Sequence, residues 1–305
     1  MSLQEIIVQQ FFNGLLLGSF YGLVALGYSM VYGIIKLLNF AHADIYMVGG
    51  FCSLALLNLF KGTFIGNGWL GIMVSLPITM CIIGALGVVV ERIAYKPLRG
   101  APRLSLLITA LAASMIMYNS VMVVTAGEYR AYTTGVGYEG FSIGSVFITH
   151  TQAILIAAAL LIMLILHLFI TRTMYGKAMR AISMDFDCCR LMGIDADRII
   201  ALTFFIGSML AAAGGMMAGI YYGKLHFFMG FMIGIKAFTA AVIGGIGVIP
   251  GAMLGGLLLG FFESFGTQIP FIGSAWKDVF AFLMLILLLI FKPTGILGKK
   301  ESERM

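Results

Sequence analysis

Asn39, His42 and Asp44 stand within six residues of one another between two long apolar runs, and they are the side chains best placed to do chemistry in this chain. An amide, an imidazole and a carboxylate at membrane depth are costly, so such a cluster marks a pathway or a break in a helix. The other reading is a short solvated loop at the interface, which the nearby Lys36 fits; the residues alone leave both open. His42 and Asp44 form an HxD pair with no third ligand close by, so no metal site is expected. Enzyme signatures are missing: there is no HExxH, no GxSxG and no GxGxxG after a strand. Gly176–Lys177 and Gly223–Lys224 lack the GxxxxGKS/T context in which backbone amides and a lysine cradle phosphates. The chain is therefore expected to have no catalytic residues, no cofactor of its own and no ATP-hydrolysing loop of that kind. Cys52, Cys81, Cys188 and Cys189 show no CxxC spacing and read as free thiols.

Those residues must be held by elements made for a bilayer. Hydrophobic residues make up 61% of the 305-residue chain and charged residues 10%, against roughly a quarter charged in soluble domains. Apolar runs occupy about 6–35, 37–60, 68–90, 104–126, 151–170, 199–222, 235–266 and 277–292. Most have the length that crosses about 30 Å of hydrocarbon as a helix. The run 235–266 is too long for one upright span, and Gly244, Gly245, Gly247, Pro250 and Gly251 stand at its middle. It reads as two short helices joined at GGIGVIPG. Breaks of this kind survive in a membrane only where protein or water satisfies the freed backbone. These glycines and Pro250, with Asn39, His42 and Asp44, are the candidates for pathway lining or hinges. The fold expected is an all-α polytopic membrane protein, one transmembrane domain over 1–305 with about eight to nine segments, some broken or re-entrant.

The net charge of +6 does not point to nucleic acid, because the basic residues lie in loops beside apolar runs. Three segments, 91–103, 171–198 and the C-terminal tail, carry 13 of the 19 Lys and Arg residues and are expected in the cytoplasm. The segment 127–150 has only Arg130 against Glu128 and Glu139 and should face out. Glu263, Lys277 and Asp278 flank another outward loop and read as solvated boundary residues. No Lys or Arg precedes Lys36, so the start reads as mature protein rather than a cleaved signal. The side on which it lies stays open. Glycines recur every fourth residue at 14, 18 and 22, at 215, 219 and 223, and at 247, 251 and 255, the spacing that lets helices approach closely.

The segment 171–198 is the most specific feature. Within RAISMDFDCCRLMGID, Asp185 suits an N-cap and Gly193 a stop. The residues between, Phe186, Asp187, Cys188, Cys189, Arg190, Leu191 and Met192, form a short helix with Ile182, Phe186 and Cys189 on one side. It can rest on lipid or plug into a groove on a partner, and its own residues do not choose.

Four stretches together resemble one family, in order along essentially the whole chain. They are NGLLLGSFYGLVALGYSMVYGIIKLLNFAHADIYMVGGF, GKAMRAISMDFDCCRLMGIDADRIIALTFFIGSMLAAAGGMMAG, GIKAFTAAVIGGIGVIPGAMLGGLLLG and the tail KPTGILG. They look like the H-type permease subunit of bacterial branched-chain amino acid ABC importers. The resemblance implies an inner-membrane subunit paired with a second, M-type permease, two cytoplasmic ATPase subunits that use ATP, and an external substrate-binding protein. It makes residues 185–193 the coupling segment that docks into an ATPase. The family often carries Gly–Glu where this chain has Ala43–Asp44, and Glu–Asp with small residues where it has Met184–Asp185 and the Cys pair. Related permeases serve urea or short amides. The competing readings are an ion-coupled secondary carrier built on Asp44 and a passive channel.

Overall fold

The computed structural model describes residues 3–62, 68–137, 139–143, 146–268, 273 and 276–298. Lys299, Lys300 and Arg304, topology signals in the sequence, lie outside the described residues. Unbroken apolar sequence with no water to satisfy its backbone becomes helix, and the long runs do so. The helices are α1 (Leu3–Ile35), α2 (Ala41–Phe60), α3 (Gly68–Val90), α4 (Arg103–Thr125), α5 (His150–Arg172), α6 (Met174–Met184), α7 (Phe186–Leu191), α8 (Ala196–Tyr222), α9 (Met229–Gly244), α10 (Ile249–Gly266) and α11 (Lys277–Phe291). Seven of these, α1 to α5, α8 and α10, are long and apolar enough to cross a membrane, and α9 and α11 add two shorter apolar helices. The long run 235–266 divides as its glycines require: α9 stops at Gly244, and α10 restarts at Ile249 with Pro250 in its first turn. Gly245 and Gly247 hold the connection at φ +104° and +86°, conformations that a side chain would strain. Four short strands add to this helical frame. β1 (Arg130–Ala131) pairs with β4 (Lys224–Leu225), and β2 (Gly140–Ile143) with β3 (Val146–Thr149), each antiparallel.

α1 is the central helix, with almost every side chain from Leu16 to Val31 buried. Its tightest partner is α10, which runs antiparallel to it. Gly14 lies against Phe261, Gly18 against Leu257, and Gly22 against Gly256. Helices in lipid gain nothing from hydrophobic exclusion between them, so this close van der Waals approach carries their association. A Cβ on Gly256 would sit 2.4 Å from the Cα and N of Gly22. Gly256→Val is therefore expected to destabilise the fold by about 1–3 kcal/mol, measured as a lower unfolding temperature in detergent; an unchanged temperature would disprove this seam. The other glycine triplets behave less uniformly. Gly215 meets the Tyr46 carbonyl and Gly219 the Tyr132 ring, but Gly223 caps α8 at φ +66° and Gly247 belongs to the turn.

The antiparallel pairing places Gln10 beside Ser264, and Gly33 beside Gly247. The start of α1 thus shares a face with both strand pairs and with the start of α11. The opposite face carries residues 36–40 and 91–102, α6 and α7, and the turn 245–248. Lys36, Arg92, Lys96, Arg99, Arg103, Arg172, Lys177, Arg180, Arg190, Arg198 and Lys292 fall on that opposite face, against Lys61, Arg130, Lys224 and Lys277 on the strand face. Alternation of the segments therefore puts the two ends of the described chain on opposite faces, a point on which the sequence is silent.

Candidate functional site

Three constellations stand out, one near the strand face, one at mid-depth and one on the basic face. The first is not visible in the sequence. Lys236, inside the apolar α9, is 4% exposed, and Glu263, on α10, is 2% exposed. The Lys236 Nζ donates to Glu263 Oε1 at 3.0 Å and Oε2 at 3.1 Å, and the Tyr21 hydroxyl of α1 donates to Oε2 at 2.7 Å. On its other side Nζ meets Asp278 Oδ1 of α11 at 2.6 Å. Glu263 is thus a buried partner and not the solvated boundary residue expected of it, because α9 and α10 fold back on each other and bring Lys236 to it. The only sequence signal is a lone lysine within an apolar run. Such a residue offsets its desolvation only with a partner, and a partner 27 positions away cannot be found by spacing. A cavity of about 380 Å³ opens beside this cluster toward the strand face. Tyr46, Met229, Met232 and Ile233 form its walls, and Lys224, Lys277 and Asp278 also line it.

The second constellation is the one the sequence singles out. Asn39, His42 and Asp44 are all buried, which overturns the solvated-loop reading. α1 overshoots, the chain turns at residues 36–40, and α2 begins beside the Gly27 and Gly207 backbone. The Tyr95 hydroxyl donates to Asn39 Oδ1 at 2.7 Å, and Ser114 of α4 donates to Asp44 Oδ2. The His42 ring meets Tyr28 edge-on at 4.9 Å between centroids. Asn39 Nδ2 and His42 Nε2 have no hydrogen-bond partner among the described residues. Asp44 lines a second cavity, of about 230 Å³, with Ser114 and the apolar Phe231, Ile235 and Phe238. The glycine candidates do not join this cluster. Gly244, Gly245, Gly247, Pro250 and Gly251 lie at the basic face, where the Gly247 amide donates to Ser29 Oγ at 2.9 Å. The backbone amides of Ile296 and Leu297 donate to the Ile243 and Gly244 carbonyls at 2.8 and 3.0 Å, so the tail clamps this turn.

The third constellation is the segment after α5. Thr173 caps α6 by accepting from the Gly176 amide at 3.1 Å. The chain then breaks at Asp185, so there are two short helices where one is expected. Asp185 caps α7 by accepting from the Cys188 amide at 3.0 Å, and Gly193 ends the turn at φ +80°, as the sequence suggests. Because of the break, Ile182 and Cys189 are buried but Phe186 is not, and these three do not share a side. Asp185 also accepts a hydrogen bond from the Cys188 thiol, which pushes that exposed thiol up from its ordinary pKa. Leu191 and Met192 stand 87% and 82% exposed, apolar tips on a polar surface. α6 also reaches the core: Met179, Arg180 and Ser183 line a small recess with Gly33 and Gly247.

The loop after α3 belongs to this region too, although no motif in the sequence marks it. α3 widens into a π-helical turn (Glu91–Tyr95) and a 3-10 turn (Lys96–Leu98). Glu91 is buried there and takes an ion pair from Arg99, which also pairs with Asp197 of α8. Lys96 meets Asp197 at 2.9 Å. Together with α7 these residues frame a cleft of about 630 Å³, lined by Lys96, Arg99, Phe186, Arg190, Asp195 and Asp197. An exposed apolar knob beside a charged cleft, with α6 lining a recess it shares with Gly247, is an arrangement that can receive a protein partner.

Known proteins resemble this chain in sequence. A family model described as branched-chain amino acid transport system / permease component matches residues 10–289. The chain is 43% identical over 302 residues to BraD of Pseudomonas aeruginosa, a high-affinity branched-chain amino acid transport system permease protein, covering 98% of both chains. It is 42% identical over 305 residues to the high-affinity permease protein LivH of Escherichia coli, covering 98% of this chain and 97% of that one. A probable branched-chain amino acid transport permease protein of Methanocaldococcus jannaschii is 27% identical over 296 residues, 90% of this chain and 88% of that one.

Proposed function

The chain belongs to the branched-chain amino acid transport permease family, and we propose that it is a transmembrane subunit of an ATP-binding-cassette importer that moves leucine, isoleucine and valine inward. The observation that carries this is identity of 42–43% along 98% of the chain to permease proteins of high-affinity branched-chain amino acid systems. The chain is a transport subunit and a multi-pass membrane protein. It works as one permease domain over 1–305 beside a second, M-type permease, with two ATPase subunits on its basic face and a substrate-binding protein on its strand face. ATP is used by those partners and not by this chain. The excess of Lys and Arg on the face of α6 and α7 supports a cytoplasmic position for that face and for the C-terminus, within the bacterial inner membrane.

In this reading residues 185–193 dock into an ATPase. Closure of the ATPases on ATP pushes α6 and α7, α6 bears on the Gly247 turn, and α1 and α10 follow as a packed pair. The pore then changes its open side, a two-state change biased by a ligand bound elsewhere. Gly244, Gly245, Gly247, Pro250 and Gly251 act as the hinge, and the buried Asn39, His42 and Asp44 as pathway lining.

Purification of the tagged chain in mild detergent tests this reading. An ATPase and a second permease should come with it, and uptake of labelled leucine into liposomes should stop with vanadate. A chain that purifies alone and still moves leucine without ATP would overturn the proposal in favour of a carrier built on Asp44.

A further inference from the structure

The cavity beside Lys236 is lined by charged and apolar side chains together. Its charged groups are of both signs and lie against an apolar wall. Lys236 faces two carboxylates, Glu263 and Asp278. Glu263 is held from two sides, by Lys236 and by the Tyr21 hydroxyl, and is buried. Asp278 has a single short contact to Lys236, at 2.6 Å, and its side chain is 39% exposed. It is therefore the partner that exchanges at least cost. Met229, Met232 and Ile233 flank the same space, and Lys277 stands beside Asp278 at its mouth. The volume of about 380 Å³ falls within the range of roughly 300–1,000 Å³ usual for small-molecule pockets.

We propose that this cavity binds the transported solute directly, as the zwitterion of an aliphatic α-amino acid inserted between Lys236 and Asp278. The solute's ammonium takes the Asp278 carboxylate, its carboxylate takes the Lys236 ammonium, and its side chain lies on Met229, Met232 and Ile233. The proposal rests on the importer reading above and deepens it.

A zwitterion conserves the charge of this site. Opening the Lys236–Asp278 pair takes from Asp278 its short contact and from the buried Lys236 one of its two carboxylates, unless the entering group replaces both partners. An amine pairs only with Asp278 and leaves Lys236 with one carboxylate, Glu263, where it had two. A carboxylic acid anion pairs with Lys236 and leaves Asp278 without its lysine, and urea or an amide brings no full charge to either. An α-amino acid satisfies both ends and adds no net charge. Its entry also undoes the direct tie between α9 and α11, so occupancy at the strand face is felt by the helices that border the turn at Gly247. A branched aliphatic side chain gains from the apolar wall, at about 25 cal/mol for each Å² removed from water.

The test uses the assembled transporter, with its ATPase subunits and without the external binding protein, in lipid nanodiscs. Labelled leucine is titrated in a scintillation proximity assay. Saturable millimolar or tighter binding is expected, displaced by isoleucine and valine. Isoamylamine, 4-methylpentanoate and urea should displace it at least tenfold less well. Asp278→Asn should weaken binding tenfold or more, and Met232→Trp, which fills the wall without touching charge, should abolish it. Absence of saturable binding in a complex that still imports leucine with ATP would overturn the cavity proposal and leave the importer reading standing. Binding unmoved by both variants would overturn it equally. A complex that retains no ATPase would overturn the importer reading, whatever the binding result.

Discussion

Lys236→Met is expected to destabilise the folded chain by about 3–5 kcal/mol, a large loss for one substitution. Methionine fills nearly the same space, so packing is not the cause. The cause is Glu263, which is 2% exposed and would keep only the Tyr21 hydroxyl as a partner once the ammonium is gone. A carboxylate in that position cannot reach water, and its desolvation is no longer offset. The same principle gives the control. Removing both charges together, as Lys236→Met with Glu263→Met, leaves only the part-exposed Asp278 without its lysine and should recover most of the loss, since paired replacement of a buried ion pair by apolar groups is often close to neutral. Unfolding temperatures of the four chains in one detergent, followed by size-exclusion fluorescence, complete a double-mutant cycle. Additive losses would mean that the two side chains do not act as a pair. Tyr21→Phe should cost less, about 1–3 kcal/mol, because Glu263 keeps its lysine.

Leu191→Asp combined with Met192→Asp should have the opposite signature, with stability kept and function lost. Both side chains are more than four-fifths exposed, so folding does not depend on them. If they are the apolar anchors of an ATPase contact, charging them should weaken docking by about 2 kcal/mol or more, roughly thirtyfold. Co-purification of the ATPase and uptake of leucine should then fall together by at least tenfold at unchanged amounts of folded chain. If α6 and α7 merely rest on lipid, the ATPase remains bound and uptake is kept, and that outcome would sink the docking assignment. Changing Cys188 alone is a useful contrast. It is exposed on the same helix but contributes a small thiol held by Asp185, so it offers little surface to lose.

Much of this architecture is legible in the amino-acid sequence. The eight apolar runs all fall on helices, seven of them long and apolar enough to cross a membrane, and the split of 235–266 at its glycines falls between Gly244 and Ile249. Asp185 as a cap and Gly193 as a stop are legible because capping depends on a side chain and a φ angle within a few residues of the helix end. The expectations that fail have a common origin. Phe186 takes a buried side only if one helical period continues through Asp185, where the backbone breaks. Glu263 looks solvated because it stands near the end of an apolar run. The cleft beside Lys96 and Arg99 has no signature in the sequence because its two loops are almost a hundred residues apart.

Local chemistry by itself therefore determined the long helices, the break at the glycines after Gly244, the charge asymmetry between the two faces, and the family. All of these follow from periodicity, composition and motif, which act over a few residues along the chain. Which polar groups meet was decided only by tertiary packing. α1 brings Tyr21 to Glu263, α9 brings Lys236 and α11 brings Asp278, across separations of up to 242 positions. The reason is physical. The preference of an apolar segment for helix is a local free energy, but a buried charge has no acceptable state until a second element supplies its partner.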